Sequence, residues 1–498
     1  MKVKVKDMDI ATGGIKVIIV NEKDAAKLDL HHGDRVLIKK GVRKTTVIVD
    51  IGESSKAAPP GSVGVFEEVL DHLHAVHGDI VDILLENKPE SVNLIRKKLD
   101  GGKLTAKELN MIVQDIVDDK LTDIEATYFV SACYSKGMSM EETKNLTLAM
   151  VNSGDVLKID GKKKIFDKHC IGGVAGNRTT MLLVPICAAA GMILPKTSSR
   201  SITSPAGTAD TMEFLTNVCL SLDQMKKVVK KTNACIVWGG ALNLAPADDK
   251  IIHIENPLSV DAEGQLLASI MAKKKSVSST HVLIDIPIGK GAKIENKHGA
   301  IKLKADFEKI GKALNMHVKV ILTDGSQPIG NGIGPSLEAR DILLVLKNDP
   351  KAPKDLREKS LMMSGVLLEM AGKTKKGKGY ALAKEILDSG KAYKKMVDII
   401  IAQGGQEVDI SKIKKAKFRA QVWSKKSGTI KYIDNKTISK VARIAGAPKD
   451  KYAGIYLYKH VGDKIRKNEK LLTIHSENRQ KLDYAKEMFR VYDGIIVK

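Results

Sequence analysis

The sequence has no CxxC pair, and its five cysteines are scattered: Cys133, Cys170, Cys187, Cys219 and Cys235. That spacing excludes a disulfide framework and a zinc ribbon and points to a reducing compartment. Aromatic residues make up only 4% of the chain, with two Trp, too few for a platform that stacks single-stranded nucleic acid. No apolar run reaches the roughly 18–20 residues needed to cross a bilayer. Met1-Lys2-Val3-Lys4-Val5 is too polar to open a secretory signal. A soluble, cytoplasmic protein is expected. Acidic residues fall short of basic ones, 59 against 82, giving a formal charge of +23. Such an excess attracts anions. The lysines are dispersed, in runs such as Lys162-Lys163-Lys164 and Lys273-Lys274-Lys275, and much of the excess reads as surface coating.

What is present is concentrated between Asp167 and Thr208. Asp167-Lys168-His169-Cys170-Ile171-Gly172-Gly173 leads through Asn177-Arg178-Thr179-Thr180 into an apolar helical run, Met181 to Ala190. Thr197-Ser198-Ser199-Arg200 and Pro205-Ala206-Gly207-Thr208 follow. Two small-residue loops thus bracket one buried helix. Glycine lets backbone amides approach a ligand, and a helix N-terminus favours an anion. With hydroxyls and cations on both loops, the stretch reads as an oxyanion cradle, for phosphate first.

At 498 residues the chain exceeds one core and should form several domains. Residues 1–85 read as short β-branched strands. Gly33-Asp34-Arg35-Val36 is echoed by Gly78-Asp79-Ile80-Val81, which suggests a small pseudo-symmetric β-barrel. From about Pro89 to Asn152 the pattern is helical, with three capping boxes: Thr105 to Glu108, Thr122 to Glu125 and Ser139 to Glu142. From Lys164 strand-like and helical runs alternate, which predicts a mostly parallel sheet carrying helices. Strand-like runs return at Thr429–Ile433, Gly454–Tyr458 and Leu471–Ile474.

Lys168-His169, Gly172-Gly173, Arg200 and Gly207-Thr208 resemble the phosphate-binding region of the thymidine and pyrimidine-nucleoside phosphorylases. The likeness runs from about Val92 to the C-terminus. Ser199-Arg200-Ser201-Ile202-Thr203-Ser204 and the extra N-terminal domain are more similar to those family members that act on nucleoside monophosphates. The fold this implies is α/β: an N-terminal β-barrel over 1–85, a helical domain over 86–160 to which 246–276 returns, a mixed or parallel-sheet phosphate-binding domain over 161–420, and a C-terminal hammerhead module over 421–498. The barrel is expected to serve assembly into dimers or larger homo-oligomers.

The resemblance also implies a site. Lys168, Thr180 and Ser198 would hold phosphate. Gly173, Ser199, Arg200, Ser201, Ile202, Thr203, Ser204, Thr208, Ser269 and Lys293 would bind substrate. Ser269 and Lys273, at i and i+4, share a helix face. Asp261 would protonate the leaving base, with His169 as the competing acid. Unaided, Asp261 reads more simply as a first-turn helix carboxylate. Arg178, Arg200 and Lys293 are the candidate cations for a second phosphate. Cys170 stands where the pyrimidine enzymes carry serine, and Ile254 where they carry a base-reading arginine. The lost arginine shifts the expected substrate from thymidine or uridine to AMP, with CMP and UMP also considered. The expected reaction is AMP plus phosphate giving adenine and ribose 1,5-bisphosphate. No metal, organic cofactor, membrane or nucleic-acid partner is expected. The rival readings are a pyrimidine-nucleoside phosphorylase, a basic nucleic-acid-binding protein, and a phosphoribosyltransferase, which would need an acidic pair with magnesium.

Overall fold

A computed structural model describes residues 1–159, 161, 163–201, 204–255, 262–492 and 494–498. The chain divides into two compact units, Met1–Ala149 with Ala247–Gly264, and Met150–Pro246 with Gln265–Lys498.

The first unit begins with six strands: β1 (Lys2–Asp7), β2 (Val17–Asn21), β3 (Arg35–Lys40), β4 (Arg43–Gly52), β5 (Ser62–Val65) and β6 (Ile80–Leu85). They close into a barrel in the order β1-β5-β2-β4-β3-β6. Each strand sends a pair of residues two apart into the barrel core, such as Val3 and Val5 or Val36 and Ile38, as the pleat requires. The repeated Gly-Asp turns make matching bonds. Gly33 N donates to Val49 O and Val49 N to Asp34 O; Gly78 N donates to Val5 O and Val5 N to Asp79 O. The two strands they introduce, β3 and β6, pair antiparallel. The echo in the sequence is therefore an internal two-fold of the barrel.

Helices Ser91–Leu99, Ala106–Val117, Asp123–Lys136 and Met140–Asn152 follow. Thr105 and Glu108, Thr122 and Glu125, and Ser139 and Glu142 exchange the reciprocal cap bonds. Glu142 also meets the buried Lys98 ammonium at 2.7 Å. The expected return of 246–276 to the helical region divides. Residues 247–264 cluster with the first unit, and 265–276 with the second. The reason lies in the C-terminal half of helix Glu263–Ser276, where Lys274 pairs with Asp167 and Ser276 O accepts from Leu157 N.

The second unit is built on five parallel strands: β7 (Phe166–Cys170), β8 (Leu194–Ser198), β9 (Ala234–Trp238), β10 (His281–Ile288) and β11 (His317–Asp324). β10 pairs with β7 and β11, and β8 pairs with β9, all parallel. An Ile165–Ile193 bridge joins β7 to β8. The spatial order is thus β11-β10-β7-β8-β9, and chain direction across the sheet reverses at β7. Helix Thr180–Ala189 is apolar all round and buried on every side, as a central core helix must be. Helices Pro335–Leu346, Lys354–Met370, Gly379–Asp388 and Lys391–Ala402 contribute to the same core. A smaller module follows, with a four-stranded sheet whose Phe418–Trp423 strand the sequence pattern did not announce.

Candidate active site

In open parallel sheets, ligands bind beyond the carboxyl ends of the strands where the strand order reverses. Here that place is the end of β7, between β10 and β8. The loop after β7 is pinned there: Ile171 N donates to Asp285 O of β10. Gly173 has φ +88, and a Cβ on it would lie 2.2 Å from the Lys293 amide nitrogen. Only glycine lets the loop after β10, carrying Lys293, seat this closely. On the other side Arg178 donates to Ala206 O, tying the loop after β7 to the loop after β8. Three loops therefore meet at the reversal point, and the two hydroxyl-rich turns are neighbours.

The pleat of β7 sorts its side chains onto two faces. On one, Asp167 is 1% exposed, with Lys274 at 2.8 Å and Lys196 at 3.3 Å. Burial pushes its carboxyl pKa up, but Lys196 and Lys274 together hold it below the ordinary value. Burial pulls Lys196 down to about 7, against the attraction of Asp167. His169 shares this face. Burial, then Lys274, Lys196, Lys273 and Lys168, keep its pKa well below the usual imidazole range, so the ring is neutral. On the other face Lys168 is 2% exposed and donates to Thr179 Oγ1 at 2.9 Å. Burial lowers its pKa, opposed by Asp285. Asp285 accepts from Thr323 Oγ1 at 2.6 Å and faces Lys359 at 3.3 Å. Burial drives the Cys170 thiol up to about 11, which disfavours a thiolate here.

Four lysines (168, 196, 274 and 359) thus share the interior around β7 with two carboxylates, Asp167 and Asp285. Buried charge is costly unless paired. The surplus positive charge fits a bound phosphate, which supplies the missing negative charge and accepts hydrogen bonds from ammonium, hydroxyl and amide. Thr180 opens the helix Thr180–Ala189, where the amides of Met181 and Leu182 already donate to Arg178 O and Thr179 O, so what it adds is its hydroxyl.

The second loop differs from the open cradle expected. Asp210 accepts from the amides of both Ser201 and Gly207 at 2.7 Å, so the carboxylate already occupies the turn that ends at Thr208. Arg200 is bidentate to Glu213 at 2.6 and 3.0 Å and lies 4.6 Å over the Trp238 ring. Hydrogen bonding to Glu213 raises the Arg200 pKa and lowers that of Glu213 to about 2. Arg178 pairs with buried Glu338 at 2.6 Å, which also accepts from Thr211 Oγ1. Arg178 and Arg200, both expected among the cations for a second phosphate, are thus paired with carboxylates, and a ligand would have to share or exchange them. Ser198 Oγ donates to Val237 O, Ser201 Oγ to Ser204 O, and Ser204 Oγ to Ala206 O, leaving these oxygens as acceptors. Ser199 is exposed, and Ser269 is half-buried on helix Glu263–Ser276. Asp261, Ile202 and Thr203 lie outside the described residues.

Neither Lys196 nor Lys274 stands out in the sequence as a site residue. Within the run Lys273-Lys274-Lys275, which composition leaves open to surface coating, Lys274 is 1% exposed. A signal was there: Leu267, Ile270, Met271 and Lys274 fall at i, i+3, i+4 and i+7, the buried stripe of the helix. Lys196 gave none, because an isolated lysine in a strand points either way.

Three family profiles match: the helical bundle domain of a glycosyl transferase family over 92–154, the a/b domain of that family over 162–393, and the pyrimidine nucleoside phosphorylase C-terminal domain over 429–493. The chain is 46% identical to an AMP phosphorylase of Pyrococcus furiosus, over 100% of this chain and 98% of that relative. It is 48% identical to an AMP phosphorylase of Thermococcus kodakarensis, over 97% and 95%. A putative thymidine phosphorylase of Legionella pneumophila is 45% identical, over 89% and 85%. Among solved structures, an anthranilate phosphoribosyltransferase from Thermus thermophilus superposes with a TM-score of 0.52 at 17% identity, covering 62% of this chain and 98% of that one. That likeness concerns the fold alone.

Proposed function

The chain belongs to the glycosyl transferase family of thymidine, pyrimidine-nucleoside and AMP phosphorylases, and from that premise we propose that it is a nucleoside-monophosphate phosphorylase. AMP and inorganic phosphate give adenine and ribose 1,5-bisphosphate, and CMP and UMP are further substrates to be tested. A phosphate oxygen attacks ribose C1′ as the bond from C1′ to the base breaks. The base leaves with the bonding pair and takes up a proton. The observation that carries this reading is the buried lysine surplus at the end of β7, which calls for an anion where parallel-sheet ligands bind.

Lys168 is the principal phosphate ligand, with the Thr180 hydroxyl beside it. Its proximity to Thr179 fixes the ammonium without neutralising it. His169 orients phosphate as a neutral imidazole, its pKa held low by burial and the surrounding lysines. Asp261, by the family resemblance, is the favoured donor to the leaving base, a role requiring a pKa raised by partial burial. Ser269 contacts the base, and Lys293, delivered against Gly173, serves the 5′-phosphate. Excluding water from the site favours phosphorolysis over hydrolysis. The barrel serves assembly, and the enzyme works in the cytoplasm as a homo-oligomer.

The experiment incubates the protein with AMP, CMP, UMP, adenosine or thymidine, with and without phosphate, and assays free base. Phosphate-dependent adenine release from AMP alone among the adenine substrates is the expected result; release from thymidine or adenosine but not from AMP overturns it. A pyrimidine-nucleoside phosphorylase is the second reading, favoured by the C-terminal domain profile, and the same panel decides it. Asp261→Asn and His169→Ala separate the two candidate acids: the donor's variant loses turnover most on the poorest leaving group.

A further inference from the structure

The outer face of the C-terminal four-stranded sheet is not an ordinary solvated surface. Its strands lie in the order Gly332–Ile333, Gly454–Leu457, Lys470–Ser476, Phe418–Trp423. Alternation sends Phe418, Ala420 and Val422 toward the core and turns Arg419, Gln421 and Trp423 outward. The register sets His475 opposite Arg419, and Thr473 opposite both Gln421 and Tyr456. Tyr458 OH meets Thr473 Oγ1 at 3.1 Å, and the Tyr456 and Tyr458 rings meet edge to face at 5.1 Å. The result is an open cleft of about 620 Å³ lined by Arg419, Gln421, Trp423, Tyr458, His475 and Arg479, among others.

The charge here is one-sided. Among the described residues, Arg419 and Lys417 form no ion pair, and Arg479 is paired only with Asp483. The Lys470 ammonium sits 5.3 Å from the Trp423 ring centroid. Burial and the positive charge of Arg419, Arg340 and Lys415 take His475 down to about 4, leaving a neutral ring able to give or accept a hydrogen bond. Trp423 and Tyr458 are 46% and 43% exposed, flat apolar surfaces that soluble proteins seldom leave bare together without use. A small anion with an aromatic ring meets every feature, and the cleft has the size that such ligands occupy.

We propose that this cleft is a second, non-catalytic binding site for a nucleoside phosphate, its base stacked against Trp423 and Tyr458 and its phosphate on Arg419. Gln421 offers an amide to the base edge, and the guanidinium offers paired donors to the phosphate. The site shares no residue with the one at β7 and does not depend on the function proposed above.

Trp238 and Trp423 are the two tryptophans, so in a Trp238→Phe protein Trp423 is the sole reporter. Full-length Trp238→Phe protein is titrated with AMP in the absence of inorganic phosphate. A saturable change in emission is expected, weakened at least tenfold by Arg419→Ala and, separately, by Gln421→Ala. Equilibrium dialysis of the unsubstituted chain should find two AMP per chain, falling to one in Arg419→Ala. Failure of the catalytic reading alone would leave one, falling to none. The proposal is overturned by unchanged emission at millimolar AMP, by an affinity that neither variant lowers, by a response only to a single-stranded RNA 20-mer, or by a change that tracks protein concentration instead of AMP.

Discussion

The turn after β7 and the turn after β8 are built from the same residue types: glycine, hydroxyls and a cation. They end with opposite electrostatics. After β7 the cations are buried with too few carboxylates, and Lys168 rests on a hydroxyl. After β8, among the described residues, the groups are met locally: Asp210 takes the amides of Ser201 and Gly207, and Glu213 takes Arg200. The first turn is left wanting an anion, and the second is satisfied without one. A cation in a glycine-rich loop is thus no measure of ligand affinity until its carboxylate neighbours are known.

The sharpest test of this contrast is Lys168→Met. It should lower kcat/KM for phosphate by roughly 10²–10³-fold, the scale of losing one charged contact to the reacting anion, while the melting temperature holds or rises because a surplus buried charge is gone. A marked loss of stability would mean that Lys168 is structural, like Arg178. Gly173→Ala forces the loop away from the Lys293 amide. A shift of about 1 Å in positioned groups costs on the order of 10²-fold in rate, to be read as kcat/KM beside a lowered melting temperature.

Next comes pH. Lys196, held at about 7 by burial, loses its charge as pH rises. Sulfate, which does not titrate in this range, should therefore inhibit about tenfold less tightly at pH 8.5 than at pH 6, and Lys196→Met should flatten that profile. The stability linkage runs the other way. Between about 7 and the ordinary 10.5 the unfolded chain holds the proton that the anion-free fold does not, so this group stabilises the fold as pH rises through that window.

The turn after β8 should respond to Asp210→Ala chiefly in stability. Loss of a cap for two amides costs about 1–2 kcal/mol, measured by denaturant unfolding, with a smaller effect on phosphate affinity than Lys168→Met. Cys170→Ser should change kcat/KM least, by less than about threefold, since the protonated thiol carries no charge to lose. A large effect there would reopen a chemical role for the sulfur.

What the sequence alone determined is what local pattern determines: the capped helices, the alternating barrel strands with their repeated Gly-Asp turns, and the glycine turn that feeds helix Thr180–Ala189. Capping, pleat and left-handed glycine are properties of a few adjacent residues, so they are legible in one dimension. Which charges stay uncompensated was decided only by the tertiary structure. Asp167, Lys196 and Lys274 come from two strands and a helix far apart in the chain, and Arg178 finds Glu338 160 residues away. Coulomb attraction and desolvation depend on distance in space and on burial, and neither is written in the order of the residues.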